Sequence, residues 1–285
     1  MKVLITGAKG QLGTAIRISR EAPENATYID LDELDLADAE AVDQFVKTLQ
    51  PNVIVNCAAY TNVDAAEDDY VTADAANRQG PCNLANAALA VGATLIHIST
   101  DYVFPGDASE PYTEESPTRP LSVYGATKLA GEQAIVASGC RYIIIRTAWL
   151  YSPFGRNFVK TMMKLTHDKQ SLKVVADQKG SPTCALDLAD AICHIIRHDM
   201  LDRQGIYHYS NQGTCTWHEF ATEICREAGN KCDIAPCTTE EYPTRAHRPH
   251  YSVMSTEKIR STFGIDIPQW RDSLHACIVI LKQQQ

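Results

Sequence analysis

The chain has 285 residues, 45% of them apolar and 21% charged, and its 26 Lys and Arg against 35 Asp and Glu leave a net charge of −9. That composition supports a packed core rather than a disordered chain, and the length suits one large α/β unit with a smaller lobe. Acidic balance without a basic run argues against nucleic acid or an anionic membrane as partner. The opening Met1-Lys2-Val3-Leu4-Ile5-Thr6-Gly7 is too short an apolar run for a secretory signal, and no stretch approaches the roughly 20 apolar residues of a membrane span. The ten cysteines show no C-x-x-C spacing and several lie in apolar runs, so they read as free, mostly buried thiols of a cytoplasmic protein.

In chain order, residues 2–6 predict an apolar strand, followed by a glycine-rich turn and a helix to about residue 21. Residues 26–30 predict a second strand, 39–49 a helix ended by Pro51, and 53–55 a third strand. An Ala-rich helical stretch covers roughly 71–91, then come a strand at 94–98, a helix at 123–138 and a strand at 142–145. Strands apolar on both faces and alternating with helices predict an α/β fold with a Rossmann-type, doubly wound parallel sheet. After Trp149 the pattern becomes punctuated by Pro and Gly, with helices at 157–168, 185–199, 217–229, 255–263 and 269–282 and strands at 172–175 and 206–209. Residues 1–150 are expected to form the dinucleotide-binding domain. Residues 151–285 are expected to form a smaller substrate lobe, interleaved with the last sheet strands.

Gly7-Ala8-Lys9-Gly10-Gln11-Leu12-Gly13 sits directly after the first strand and opens a helix. Glycines there allow a tight turn and let backbone N–H groups approach a diphosphate at a helix N-terminus. Asp30, at the end of the second strand, either accepts from the adenosine ribose hydroxyls and repels a 2′-phosphate, or is a solvated turn residue; Asp35-Leu36 is a second candidate for the adenine side. The small residues Ala58 and Ala59, after the third strand, suit either a cofactor lying on the backbone or tight helix packing.

Tyr124 and Lys128 stand at i and i+4, so one helix face carries a phenol and an ammonium that can favour its ionisation. Ser99-Thr100-Asp101 follows the fourth strand at the same sheet edge, where a hydroxyl can hold a carbonyl that Tyr124 protonates. This combination resembles the extended short-chain dehydrogenase/reductase superfamily. Longer stretches, Ser99–Phe104, Tyr124–Glu132, Arg146–Tyr151, Asn157–Met162 and the run from Asp177 to Thr183, resemble the dTDP-4-dehydrorhamnose reductase family over residues 1 to about 275.

The resemblance implies NADH- or NADPH-dependent reduction of the 4-keto group of a dTDP-linked 6-deoxysugar. It implies Tyr124 as proton donor, with Lys128 lowering its pKa and holding the nicotinamide ribose, and Thr100 and Asp101 on the sugar. Gly10, Gln11 and Leu12 would line the pyrophosphate turn, with Gly7, Gly13, Ser99, Ala59, Tyr60 and Thr61 also on the cofactor. Trp149 would wall the sugar pocket or pack as a core tryptophan. Arg248 is the expected grip on the substrate diphosphate, with Asn157 and the 178–183 loop as further candidates. Some family members form magnesium-linked dimers through a carboxylate two residues beyond the third glycine; Ala15 stands there, so a monomer or a homodimer without metal is expected. His194 and His198 are spaced as a metal pair, but no third ligand is evident in the sequence, so they read as surface histidines and no metal is expected. Two other functions remain open at this level: a nucleotide-sugar epimerase or dehydratase, and a non-catalytic cofactor-binding regulatory subunit, since the methionine adenosyltransferase β subunit resembles the same family.

Overall fold

The computed structural model describes residues 1–284. The chain runs β1 (Val3–Thr6), α1 (Gln11–Ile18), β2 (Ala26–Ile29), α2 (Ala39–Leu49), β3 (Val53–Asn56), α3 (Val63–Ala66) and α4 (Tyr70–Asp74). A π-helical turn, Ala75–Gln79, joins α4 to α5 (Gly80–Val91); β4 (Thr94–Thr100), α6 (Val123–Ser138) and β5 (Arg141–Thr147) follow. The second half comprises β6 (Leu150–Tyr151), α7 (Phe158–Asp168), β7 (Ser171–Val175), β8 (Lys179–Gly180), β9 (Thr183–Cys184), α8 (Ala185–Arg197) and β10 (Gly205–Tyr209). It closes with β11 (Cys215–Thr216), α9 (Trp217–Ala228), β12 (Asp233–Cys237), α10 (Glu257–Phe263) and α11 (Trp270–Gln283).

Six strands form one sheet in the order β10-β5-β4-β3-β1-β2, and every pairing within it is parallel. The chain leaves β1 for β2 on one side and returns to β3 on the other, so a crevice opens beyond the carboxyl ends of β1 and β3. Both sheet faces are covered, which is why the strands are rich in Val, Ile and Leu on both sides. Leu12 and Ile16 of α1, Leu188, Ile192 and Ile196 of α8, and Phe263 of α10 close one face. Val42 and Val46 of α2, Leu84 and Ala88 of α5, and Ile135 of α6 close the other. A separate core of Tyr151, Val159, Phe220, Trp270 and Leu274 binds α7, α9 and α11 beside the parallel β7–β12 pair.

The helix expected to reach residue 21 stops at Ile18, because Ser19 turns to an extended backbone and its hydroxyl is taken by Asp190 of α8, 2.6 Å away. The ten cysteines are free thiols, and seven of them are buried. Among the described residues no helix is long and apolar enough to cross a membrane.

Candidate active site and cofactor cleft

The turn after β1 has a steric reason for its glycines. Gly7 has φ +65°, and a Cβ there would lie 2.6 Å from the Ala58 backbone nitrogen; at Gly13 it would lie 2.5 Å from the Gly7 carbonyl oxygen. Helix α1 starts at Gly10 without a side-chain cap, which leaves the N–H groups of its first turn for an anion. A cleft of about 690 Å³ runs outward from this turn and includes Gly7, Gly10, Asp30, Asp35, Leu36, Ala58 and Ala59 in its walls. An uncapped helix start, an approach that a Cβ would block and an apolar cleft beside it fit a dinucleotide cofactor. Leu31 and Val71, exposed at the mouth, and Ala75 and Ala76 of the π-helical turn are further cleft residues that periodicity alone does not single out.

Asp30 accepts a hydrogen bond from the Lys9 backbone N–H at 2.7 Å, while the Lys9 ammonium turns outward to Asp32 at 2.6 Å and Glu33 at 3.5 Å. Asp35 is exposed and caps the Ala37 N–H. The backbone of Tyr60 is clamped by buried Asn77, whose Oδ1 accepts from the Tyr60 N–H and whose Nδ2 donates to the Tyr60 carbonyl and to the Thr127 hydroxyl. Thr61 follows, exposed. Asn77 lies in the π-helical turn, where the helix bulges against α6. The Gln11 side chain is tied to the segment after β6, accepting from the Ser152 hydroxyl and from Asn157 Nδ2, each at 2.9 Å.

The reacting groups gather beyond β4. Alternation along that strand sends the Thr100 hydroxyl to Asp101 Oδ1 at 3.0 Å, and the Ser99 hydroxyl the other way, 2.5 Å from Glu132 Oε1. Ser99 therefore does not offer its hydroxyl to the cofactor: it completes a buried cluster in which Glu132 holds Arg146 through two bonds of 2.9 and 2.7 Å. Burial pushes the Asp101 carboxyl up to about 6, with the Ser252 and Thr100 hydroxyls acting against it, and its Oδ2 has no partner among the described residues. Tyr124 stands edge-on to Tyr102 with ring centroids 5.4 Å apart. Its phenol is raised above the ordinary tyrosine value by desolvation, while the neighbouring Thr100 hydroxyl pulls it down.

Lys128 departs from the sequence expectation. Its ammonium makes no direct bond to Tyr124; it donates to the Ile98 carbonyl at 2.6 Å and lies 3.4 Å from His97 Nε2. Burial lowers its pKa to about 8. One N–H of the ammonium is thus taken by the end of the sheet rather than by the phenol. Behind Lys128 a buried polar chain crosses the strand ends: Thr6 donates to Asn56 Oδ1 at 2.7 Å, and Asn56 Nδ2 meets His97 Nδ1 at 3.0 Å. Two polar residues inside the apolar strands β3 and β4 were the signal for this chain.

The second half of the molecule supplies the remaining walls. Trp149 holds φ +48°, uncommon for a bulky residue, stacks on Trp217 at 3.6 Å, and is half-buried against the hydrophobic core around Phe220. Arg248 pairs with Asp64 at 2.8 Å and reaches the Tyr102 hydroxyl at 3.3 Å, which places its guanidinium beside the Tyr102–Tyr124 pair. Asn157 is the exception: its Oδ1 caps α7 through the Lys160 N–H and its Nδ2 serves Gln11, Ser152 and Phe154, so no donor is left over for a diphosphate.

The family described as the RmlD substrate binding domain matches residues 1–283. A Burkholderia thailandensis dTDP-4-dehydrorhamnose reductase is 39% identical over 298 residues, covering 100% of both chains. The chain belongs to the dTDP-4-dehydrorhamnose reductase family. The solved Clostridium acetobutylicum dTDP-4-dehydrorhamnose reductase superposes with a TM-score of 0.93 at 44% identity, covering 99% of this chain and 100% of the other. The Bacillus anthracis dTDP-4-dehydrorhamnose reductase, solved in complex with NADP, gives a TM-score of 0.91 at 40% identity over 98% of this chain and 100% of that one. Agreement of this extent covers the cleft at the β1–β3 switch point and the groups beyond β4 alike.

Proposed function

We propose that the protein reduces the 4-keto group of dTDP-4-dehydro-L-rhamnose to give dTDP-L-rhamnose, using NADPH or NADH. Bound in the cleft, the nicotinamide cofactor would supply the hydride. The Thr100 hydroxyl, turned from Asp101 Oδ1 to the keto oxygen, orients that oxygen, and Tyr124 donates its phenolic proton to it as the new C–H bond forms; the phenolate then recovers a proton from solvent. A phenol whose ordinary pKa is about 10, and which burial raises further, is in the acid form that this direction of reaction needs. Lys128 would hold the nicotinamide ribose through an N–H, Asp101 Oδ2 would accept from a sugar hydroxyl, and Trp149 would wall the sugar. Arg248 grips the diphosphate.

The observation that carries this reading is the convergence of Thr100, Asp101 and Tyr124 at the carboxyl edge of the sheet, beside a cleft built for a dinucleotide. An epimerase or dehydratase would regenerate its cofactor, and a regulatory subunit would not turn over. Following the nicotinamide absorbance with the dTDP-4-keto sugar and each cofactor in turn distinguishes them. One equivalent of reduced cofactor lost per sugar is expected; product without net cofactor loss, or no turnover, would overturn the proposal.

A further inference from the structure

Helices α1 and α8 pack side by side on one sheet face, and away from the cleft their ends bring together three groups that the proposed reaction does not use. His194 lies in the last turn of α8 and His198 is the residue that caps its C-terminus, with ring centroids 4.4 Å apart, and Glu21 reaches over from the turn after α1. One ligand-capable atom of each of the three lies within 4.8 Å of the others. We propose that Glu21, His194 and His198 form a binding site for a divalent transition-metal cation of the zinc class.

Two features prepare these groups for an ion. His194 Nε2 lies 3.3 Å from the Phe263 carbonyl oxygen, which can only accept, so Nε2 carries the proton and the lone pair sits on Nδ1. That Nδ1 is the atom turned toward Glu21, 4.0 Å from Oε2, too far for a good hydrogen bond but suited to two ligands sharing one ion. A carbonyl fixing the tautomer of a liganding histidine is the usual outer-shell arrangement at metal sites. Second, Glu21 Oε2 is shielded from solvent and has no hydrogen-bond partner among the described residues, a costly state for a carboxylate oxygen that an ion would relieve. The turn is held for this by Ser19, whose hydroxyl donates to Asp190 one turn before His194 and accepts from the Glu21 N–H at 3.2 Å. Imidazole nitrogens with one carboxylate select zinc-like ions over magnesium or calcium, and the incomplete set leaves a position for water.

The test is titration of the full-length, reduced protein with Zn²⁺ by calorimetry, repeated with Co²⁺ in the visible and near ultraviolet. One equivalent is expected, with affinity falling at least about tenfold in Glu21→Gln and in His198→Ala. His198 is exposed, so its loss does not put the fold at stake. The Co²⁺ spectrum should lack thiolate charge transfer, and reductase turnover should be unchanged in both variants. No binding, binding indifferent to both substitutions, or a thiolate band placing the ion on cysteine would each overturn the proposal.

Discussion

Nζ of Lys128 faces Nε2 of His97 at 3.4 Å, and the hydrogen-bond pattern around them makes this a meeting of two donors. Asn56 Oδ1 accepts from the Ala58 N–H and the Thr6 hydroxyl, so the Asn56 amide must turn its NH₂ to His97 Nδ1. Burial and the charge of Lys128 keep His97 neutral, which puts its single proton on Nε2, toward the ammonium. His97 thus offers Lys128 no acceptor, and after the bond to Ile98 the remaining N–H groups are free for a ligand.

Replacing His97 by Gln supplies an amide oxygen that can capture that ammonium. A cofactor KM raised by about tenfold is expected, the equivalent of one hydrogen bond of roughly 1.4 kcal/mol, with kcat affected less. His97→Phe, which offers no acceptor, should stay closer to the original KM. Equal increases in both variants would mean that His97 acts only through packing.

The same burial sets a pH limit. With its pKa lowered to about 8, Lys128 carries its charge below that pH and loses it as pH rises through it. Because kcat/KM reports groups of the free enzyme, kcat/KM for the cofactor should fall above about pH 8. In Lys128→Arg the guanidinium stays charged, so the alkaline limb should disappear even if the rate is lower. A limb that persists unchanged in that variant would belong to another group.

For the proton donor, Tyr124→Phe removes one oxygen and leaves the edge-on packing against Tyr102. Turnover should fall about 10²–10⁴-fold, the usual worth of a positioned general acid, with cofactor affinity little changed. Near-normal turnover in stopped-flow assays would remove Tyr124 from the chemistry.

Where a single periodicity governs a long segment, the sequence is a sufficient guide. Helix α2 spans Ala39–Leu49 as its apolar spacing predicts, started by the Asp38 side chain and stopped by the left-handed Gln50 before Pro51. Helix α6 likewise fills 123–138 between the Ser122 cap and left-handed Gly139. The two-residue strands β6, β8, β9 and β11 carry no period and exist only through their partners. β12 pairs along its length with β7 although Pro236 lies within it. At the site, the glycine turn was legible because the close backbone approach demands it, and Thr100 and Tyr124 because their spacing matches a family pattern. Asn77 was not, since its role arises from a π-helical bulge; Ser99 could have been separated from Thr100 by strand alternation alone.

Cofactor choice tests Asp30. Its carboxylate already accepts from the Lys9 N–H, and Asp32 and Glu33 neutralise the Lys9 ammonium nearby, so this end of the cleft is acidic. NADH should be used at least as well as NADPH, and Asp30→Ala should shift the kcat/KM ratio toward NADPH. A strong preference of the unaltered protein for NADPH would show that Asp30 does not repel the 2′-phosphate.

Arg248 is the most exposed of the proposed assignments to disproof, because it already has a partner. Its guanidinium is held by Asp64 at 2.8 Å and by the Tyr102 hydroxyl at 3.3 Å, and the Ala246 N–H also donates to Asp64. A diphosphate must therefore compete with Asp64 for the same charge. The chain carries −9 and the substrate adds negative charge, so long-range attraction does not assist and the affinity has to come from short, charge-assisted bonds. Arg248→Ala should remove roughly 1.5–3 kcal/mol of substrate binding, seen mainly as a raised KM because the diphosphate takes no part in the bond changes. Asp64→Asn should do the opposite: it keeps the shape, weakens the competitor and leaves Arg248 freer, so the substrate KM should fall while the cofactor KM holds. If instead Asp64→Asn raises the substrate KM as Arg248→Ala does, Asp64 is needed to aim the guanidinium. If neither variant changes it, the diphosphate is held elsewhere, and the 178–183 loop becomes the next segment to alter.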